Sequence, residues 1–138
     1  MDEGIASTRL DPDAGERFVS LRRQLGVTTF GMNQIVLEAR QRGRIHRHLH
    51  QEEVYLVLEG TLTLLVEGDE RVFERGELVR VAPAVRRQLV NRGPQRLVLL
   101  ALGGATEHVG RDGEAWTDWD APGPAPPSEV PLPEDLPG

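Results

Sequence analysis

The chain has 138 residues, a formal net charge of −6 and no cysteine. This length suits a single domain with a sizeable hydrophobic core, and the lack of cysteine excludes disulfides and thiolate chemistry. The arginines are interspersed with acidic residues, which argues against nucleic-acid binding, and no apolar run approaches the roughly 18 residues of a membrane span. The acidic, polar start "MDEGIASTRLD" is unlike a signal peptide, so we expect a cytoplasmic protein that binds neither nucleic acid nor membrane.

Residues 1–26 form a polar N-terminal segment with a short apolar cluster at 18–25. Asp13 has the side chain of a helix cap, which favours a short helix after it. The same stretch can also be interpreted as an edge strand, and both interpretations stay open. In either case we expect this segment to pack on the domain that follows.

Residues 27–103 contain eight short strand signals separated by Gly, Pro, Asp or Asn turns. No window of this region has a helical stripe. The pattern is typical of an antiparallel sandwich or barrel. In chain order the segments are "TTFGMNQIVLEA", "RIHRHL", "EVYLVL", "TLTLLVE", "RVFE", "ELVRVA", "RRQLVN" and "QRLVLLAL".

The strand signal "EVYLVL" is apolar on both faces. Val54, Leu56 and Leu58 alternate with Tyr55 and Val57, whereas a strand with one wet face alternates apolar and polar residues. One face is therefore expected in the barrel interior, and the other under a second layer or a second subunit. The second possibility predicts a homodimer.

The C-terminal part divides into two segments. Residues 104–121 contain Trp116 and Trp119, which we expect to anchor this segment on the barrel, and His108, which we expect at the surface. Residues 122–138 are rich in proline, a composition typical of a solvated, flexible tail.

The stretch "GRIHRHLHQEEVYLVLEG" at 43–60 is the strongest candidate for a functional site. Side chains alternate along a strand, so His46, His48 and His50 fall on one face. Glu53 begins the next strand and can return to the same interior. Imidazole nitrogen with carboxylate oxygen suits Zn, Mn, Fe, Ni or Cu, and leaves positions open for other ligands. The plainer interpretation is three polar residues on a wet strand face.

This stretch resembles the first motif of the cupin superfamily. That motif is His-x-His, three or four residues, Glu, six residues and Gly. His46 and His48, four residues, Glu53, six residues and Gly60 match it. The resemblance covers about 27–103 and implies a small single-domain cupin: an all-β antiparallel barrel, also called a double-stranded β-helix or jelly roll.

The second cupin motif is matched with one departure. Gly76 and Asn91 stand where the motif has them, and Pro83 is displaced by one position. Arg87 occupies the position of the motif histidine. By resemblance, that histidine completes the metal ligands of cupins, and Arg cannot replace it because a guanidinium has no free lone pair.

Two alternatives follow from this departure. In the first, a divalent transition metal is bound by His46, His48 and Glu53, and Arg87 binds the anionic end of a small organic metabolite. Tyr55 then lines the pocket as a hydrogen-bond donor.

In the second alternative there is no metal, and the protein is a non-catalytic ligand-binding or sensory cupin. Arg87 then pairs with Glu53 inside the barrel, because a buried carboxylate needs a partner.

Two other residues are possible metal ligands in the first alternative. His50 is a possible replacement for the missing histidine, and Glu52 for Glu53. Whether the protein is an enzyme stays open.

Overall fold

Ten β-strands build two antiparallel sheets in the computed structural model, which describes residues 3–104 and 112–137. The helices are short: α1 (Leu21–Leu25) and a 3₁₀ turn (Pro127–Glu129). The strands are β1 (Phe18–Ser20), β2 (Gly31–Leu37), β3 (Ile45–His48), β4 (Glu52–Glu59), β5 (Leu62–Val66), β6 (Asp69–Phe73), β7 (Leu78–Val81), β8 (Arg87–Val90), β9 (Leu97–Gly104) and β10 (Gly113–Trp116).

The strand order is that of a jelly roll. Sheet A has the order β1-β2-β9-β4-β7, and sheet B has the order β10-β3-β8-β5-β6. Because neighbours in a sheet are seldom consecutive in the chain, the backbone repeatedly crosses from one sheet to the other. The eight strands from β2 to β9 correspond to the eight predicted segments, so the predicted all-β fold class is confirmed.

The hydrophobic core lies between the two sheets and follows the alternation of their strands. On β4, Tyr55 and Val57 point inward, each about 1% exposed. These two residues pack with inward-facing side chains of both sheets, among them Ile35, Leu37, Leu62, Leu64, Val81, Leu89, Leu97, Leu99 and Ala101. Glu53 therefore lies on the same face of β4 as these two core residues.

The N-terminal segment contains both elements that its sequence left open. The short strand β1 pairs with β2, and α1 follows it directly. The cap of α1 is Ser20, whose side chain accepts a hydrogen bond from the Arg23 amide at 3.2 Å. Gly26 ends the helix in the left-handed conformation at φ +76°. Asp13 is not the cap, and its carboxylate pairs with Arg96 instead.

The segment after residue 111 adds a strand to sheet B. β10 pairs with β3 along its whole length. Trp116 on β10 is 7% exposed, and the Arg86 guanidinium lies 5.3 Å from its ring centroid and 5.4 Å from that of Trp119. The predicted surface position of His108 lies outside the described residues.

The proline-rich tail runs beside the β2–β3 connection. Arg44 donates from Nε to the carbonyl of Val130 at 2.6 Å, and Arg42 to that of Glu134 at 2.8 Å. Val130 is 4% exposed. The flexibility that the composition suggests for this tail stays a prediction, and these contacts tell where it lies.

The outer face of sheet A carries a group of apolar side chains. Val54 and Leu56 on β4 are cross-strand neighbours of Leu102 and Leu100 on β9, and all four are partly exposed. Leu78 on the edge strand β7 is 63% exposed. Among the described residues, no helix has the length and apolar character needed to cross a bilayer.

Candidate metal site

The two sheets bring three predicted ligands together at one end of the barrel. His46 and His48 lie on β3 of sheet B, and Glu53 lies on β4 of sheet A. His46 Nε2 is 3.5 Å from Glu53 Oε1, and His48 Nε2 is 3.5 Å from Glu53 Oε2. One ligand atom from each residue lies within 4.8 Å of the others. We call these three residues the triad.

The hydrogen bonds of His46 fix how its ring faces Glu53. His46 Nδ1 is 3.0 Å from the carbonyl oxygen of Arg44. A carbonyl only accepts, so Nδ1 carries a proton and Nε2 faces the carboxylate. Nε2 can either carry a second proton and donate it to Glu53, or offer its lone pair to a cation held between the two residues. This donor set and its orientation fit a divalent transition metal.

His48 has a buried nitrogen on the side away from Glu53. Its Nδ1 has no hydrogen-bond partner among the residues that the structure describes, and it lies 4.0 Å from Asp112 Oδ2. Asp112 is 2% exposed and accepts hydrogen bonds from the amides of His50 and Gln51, each at 2.8 Å. A buried carboxylate thus stands behind the second imidazole of the triad.

Asp112 was missed by sequence reasoning. It directly precedes β10, and its position behind His48 depends on the pairing of Gly113 with His48 across the sheet. The only local signal is the Asp112–Gly113 dipeptide, which is typical of any turn.

Charges at the site are set by burial and by the histidines. Burial raises the pKa of Glu53, but hydrogen bonds from His46 and His48 outweigh it and hold that pKa well below its usual range. Burial and the charge of Glu53 raise the pKa of Tyr55 well above its usual range. Tyr55 therefore keeps its proton and donates it in a hydrogen bond to Glu53 Oε1.

Arg87 lies directly across from His46 in the β3–β8 pair and is fully buried. Its Nη2 donates to Glu53 Oε1 at 2.9 Å, and its Nη1 donates to the carbonyl of Val85 at 2.8 Å, with longer contacts to the carbonyls of Ala82 and Pro83. This is the ion pair of the second alternative. An anion-binding role for Arg87 stays a prediction, since these contacts direct its donors at the protein itself.

The two substitute ligands do not join the triad. β3 ends at His48, so the alternation that would have turned His50 inward stops two residues too early. The His50 side chain is 72% exposed, and its Nδ1 lies 2.9 Å from Asp112 Oδ1. Glu52 points outward and pairs with Arg80 at the surface.

A family comparison agrees with the fold. The family model of the cupin domain matches residues 33–103, half of the chain. The chain belongs to the cupin family. No curated protein matches it.

Several solved cupin structures are similar to this chain. A cupin protein from Bacteroides fragilis is 20% identical with a TM-score of 0.67, over 79% of this chain and 90% of that one. A Cupin 2 conserved barrel domain protein from Salinispora arenicola is 25% identical with a TM-score of 0.59, over 70% and 81%. A putative sugar phosphate isomerase from Acidithiobacillus ferrooxidans is 21% identical with a TM-score of 0.61, over 86% and 80%. These likenesses support the fold.

Two residues of the cupin motifs have structural reasons to be there. Gly60 has φ +79°, and a Cβ at this position would lie 2.3 Å from the Arg96 carbonyl oxygen. Asn91 is fully buried and donates to the carbonyls of Leu37 and Gln95, each at 2.9 Å. Asn91 therefore holds the backbone, and both residues shape the barrel rather than the ligand pocket.

Two cavities of the cupin barrel meet at the triad. The inner cavity has a volume of 340 Å³ and is lined by the whole triad, by Tyr55 and by apolar residues such as Ile35. The outer cavity has a volume of 880 Å³, is more polar, and shares His48 and Glu53 with the inner one. At least two of the triad residues therefore belong to the lining of each cavity.

Proposed function

We propose that this cupin binds a divalent transition metal through His46, His48 and Glu53, and takes a small anionic ligand in the cavities beside it. The observation that carries the proposal is the convergence of two imidazole Nε2 atoms on one ionised carboxylate. Among the described residues, no other group of three His, Asp or Glu side chains converges in this way.

The surroundings of the triad support this role. The Arg44 carbonyl presets His46 to offer the lone pair of Nε2, as a metal ligand requires. Arg87 and Tyr55 hold Glu53 in place through its Oε1 atom. A divalent metal bound here would supply a Lewis acid to any ligand oxygen within its reach. Arg87, one cation close to the triad, lowers the metal affinity below that of a site with a third histidine.

The proposed ligand is a small polar molecule because the cavities join charged and apolar walls. Glu53, the two triad histidines and Tyr55 form the polar end of the inner cavity. Sites of this kind bury most of a small ligand and fix it with a few polar groups. Neither the reaction nor the absence of one is part of the proposal.

A second candidate function is a metal-free ligand-binding cupin. It is favoured by the contact of 2.9 Å between Arg87 Nη2 and Glu53 Oε1, which already gives the carboxylate a cationic partner. In that case the triad imidazoles bind the ligand directly by hydrogen bonds. The two candidates differ in one measurable property, the metal content of the protein.

The metal content of purified protein distinguishes the two candidates. We expect about one equivalent of Zn, Mn, Fe, Ni or Cu per chain when the protein is prepared without chelator and analysed by mass spectrometry of the elements. His46→Ala, His48→Ala and Glu53→Gln should each lose most of it. His50→Ala is the matched control and should retain it, because the exposed His50 ring lies outside the triad. Equal metal content in all variants, or none in the wild type after incubation with each metal, would refute the metal proposal.

A homodimer is a further part of the proposal, formed through the outer face of sheet A. The partly exposed apolar group there, with Leu78 at its edge, is supporting evidence because monomers rarely leave such a face uncovered. Light scattering on a sizing column should give twice the mass of the chain, and Leu78→Asp should shift it toward the monomer. Val72→Asp, on the edge strand of sheet B and 56% exposed, is the control and should leave the mass unchanged. A monomeric wild type would exclude the dimer.

A further inference from the structure

The outer cavity has a cationic wall that the cupin motifs do not include. Arg22 and Arg23 of α1 line it, together with Asn33 of β2, and His48 and Glu53 of the triad line it as well. The α1 wall and two of the candidate metal ligands therefore border the same cavity.

Arg22 differs from its neighbour Arg23 in this wall because it is partly buried and has an unpaired buried nitrogen. Its side chain is partly buried, and its Nε has no solvent exposure and no hydrogen-bond partner among the described residues. Within the same residues, its guanidinium forms no ion pair with any carboxylate. Buried donors of native proteins are nearly always paired, because an unpaired one loses its hydration without compensation. Arg22 therefore has an unpaired donor on a side chain that lines the outer cavity.

The acidic groups of the outer cavity do not compensate Arg22. Glu53 accepts hydrogen bonds from Arg87 and Tyr55. Asp112 accepts hydrogen bonds from the amides of His50 and Gln51, and it also contacts the His50 ring. Glu129 of the tail also lines the cavity, but it is exposed and forms no ion pair in the described part of the chain. An added anion would meet an unpaired guanidinium and two carboxylates that already have partners.

We propose that Arg22 binds the anionic group of the ligand, a carboxylate or a phosphate, while the other end of the ligand reaches the triad. The planar fork of a guanidinium matches both groups with two parallel hydrogen bonds. This inference rests on the proposed function and gives its ligand a class: a compact organic anion long enough to span from α1 to His48. Anion recognition then belongs to the N-terminal segment rather than to Arg87 on β8.

The experiment measures anion binding by calorimetry in metal-depleted and in Mn²⁺-loaded protein. Malonate and inorganic phosphate are the probes, at an ionic strength held constant with sodium chloride. We expect the wild type to bind at least one of them, and the identity of that probe tells whether the group is a carboxylate or a phosphate. Arg22→Gln should weaken its affinity at least about tenfold, the value of a charge-assisted hydrogen bond. Arg22→Lys keeps the charge but loses the planar fork of the guanidinium. Its affinity for the probe should lie between those of the wild type and of Arg22→Gln.

The control is Arg75→Gln, which removes the same charge from an exposed arginine in the turn between β6 and β7. It should bind the probe as tightly as the wild type. The Arg22 proposal is overturned if Arg22→Gln also does so, or if the wild type binds neither probe in either form. Failure of the metal proposal is seen separately, as absence of metal in the wild type, and the metal-depleted titrations still decide the role of Arg22.

Discussion

The β8 side and the α1 side of the site each present an arginine with an unpaired buried Nε, and the two arginines differ in their ion-pair partners. Arg87 on β8 is fully buried, and its terminal nitrogens donate to Glu53 and to backbone carbonyls. Arg22 on α1 is partly buried and has no ion-pair partner among the described residues. The comparison shows that an arginine in a motif position can be bound by the scaffold, while one outside every motif can lack an ion-pair partner.

Removing the charge of Arg87 should give the largest effect on the free energy of unfolding. Arg87→Met leaves the Glu53 carboxylate buried without its cation, which typically costs about 3–5 kcal/mol when one partner of a buried pair is lost. Urea unfolding of metal-depleted protein measures this free energy. The matched change on the other side, Arg22→Gln, should alter it by no more than about 0.5 kcal/mol. Similar losses in both variants would break the distinction between the two arginines.

Addition of a metal should sharpen the same comparison. In Arg87→Met a divalent metal replaces the lost cation beside Glu53, so saturating Zn²⁺ should restore much of the lost free energy of unfolding. No such rescue is expected for Arg87→Met combined with His46→Ala, which lacks a ligand. Equal rescue in both would show that the ion binds elsewhere.

The carboxylate behind His48 should give the next largest effect. Asp112→Asn replaces one carboxylate oxygen with an NH₂ group, which cannot accept the hydrogen bonds that the amides of His50 and Gln51 donate. The change should lower the free energy of unfolding by about 1–3 kcal/mol at pH 7. Glu114→Gln, which breaks a partly exposed ion pair with Arg47, is the control and should cost less than about 1 kcal/mol. A loss for Asp112→Asn no larger than that of the control would contradict its role as an acceptor.

The effect of Asp112 should also depend on pH in a defined direction. Burial raises the pKa of Asp112, but hydrogen bonds from the amides of His50 and Gln51 lower it overall below its ordinary value of 3.8. The ionised carboxylate therefore stabilises the fold fully above that value, and the contribution is lost as the pH falls through the lower pKa of the folded state. The difference between wild type and Asp112→Asn should be present in full at pH 5 and shrink below pH 4. A difference that grows toward low pH would contradict this sign.

A further effect, on metal affinity instead of stability, is expected from restoring the motif histidine. Position 87 pairs with His46 across β3 and β8, so Arg87→His adds an imidazole beside the triad and removes a repelling cation. Metal affinity should rise by about ten- to a hundredfold, a range typical of changes around a metal site. Competition with a fluorescent chelator measures it. An affinity equal to the wild type would mean that Arg87 does not limit metal binding.

The sequence predicted the parts of the molecule that depend on local chemistry. The eight strands from β2 to β9 could be predicted because Gly, Pro and Asp turns separate short β-rich runs. The triad could be predicted because His46 and His48 share one strand face and Glu53 follows within a cupin motif. His50 shows the limit of this reasoning, because alternation holds only while the strand lasts, and β3 ends at His48.

The rest of the site depends on contacts between segments that are distant in the chain. Asp112 reaches His48 because β10 pairs with β3 in one particular register. Arg22 reaches the outer cavity because α1 follows an edge strand that pairs with β2. Neither strand register has a local sequence signature. Asp112 and Arg22 therefore cannot be distinguished from the other aspartates and arginines of the chain by sequence alone.

The central claim is tested most directly by a crystal structure of the protein grown with Mn²⁺ or Zn²⁺, with data on both sides of the absorption edge. The account predicts one anomalous peak about 2.0–2.2 Å from the Nε2 atoms of His46 and His48 and from a carboxylate oxygen of Glu53. No peak at that position, with the Glu53 carboxylate still bound only to Arg87 and Tyr55, would contradict it.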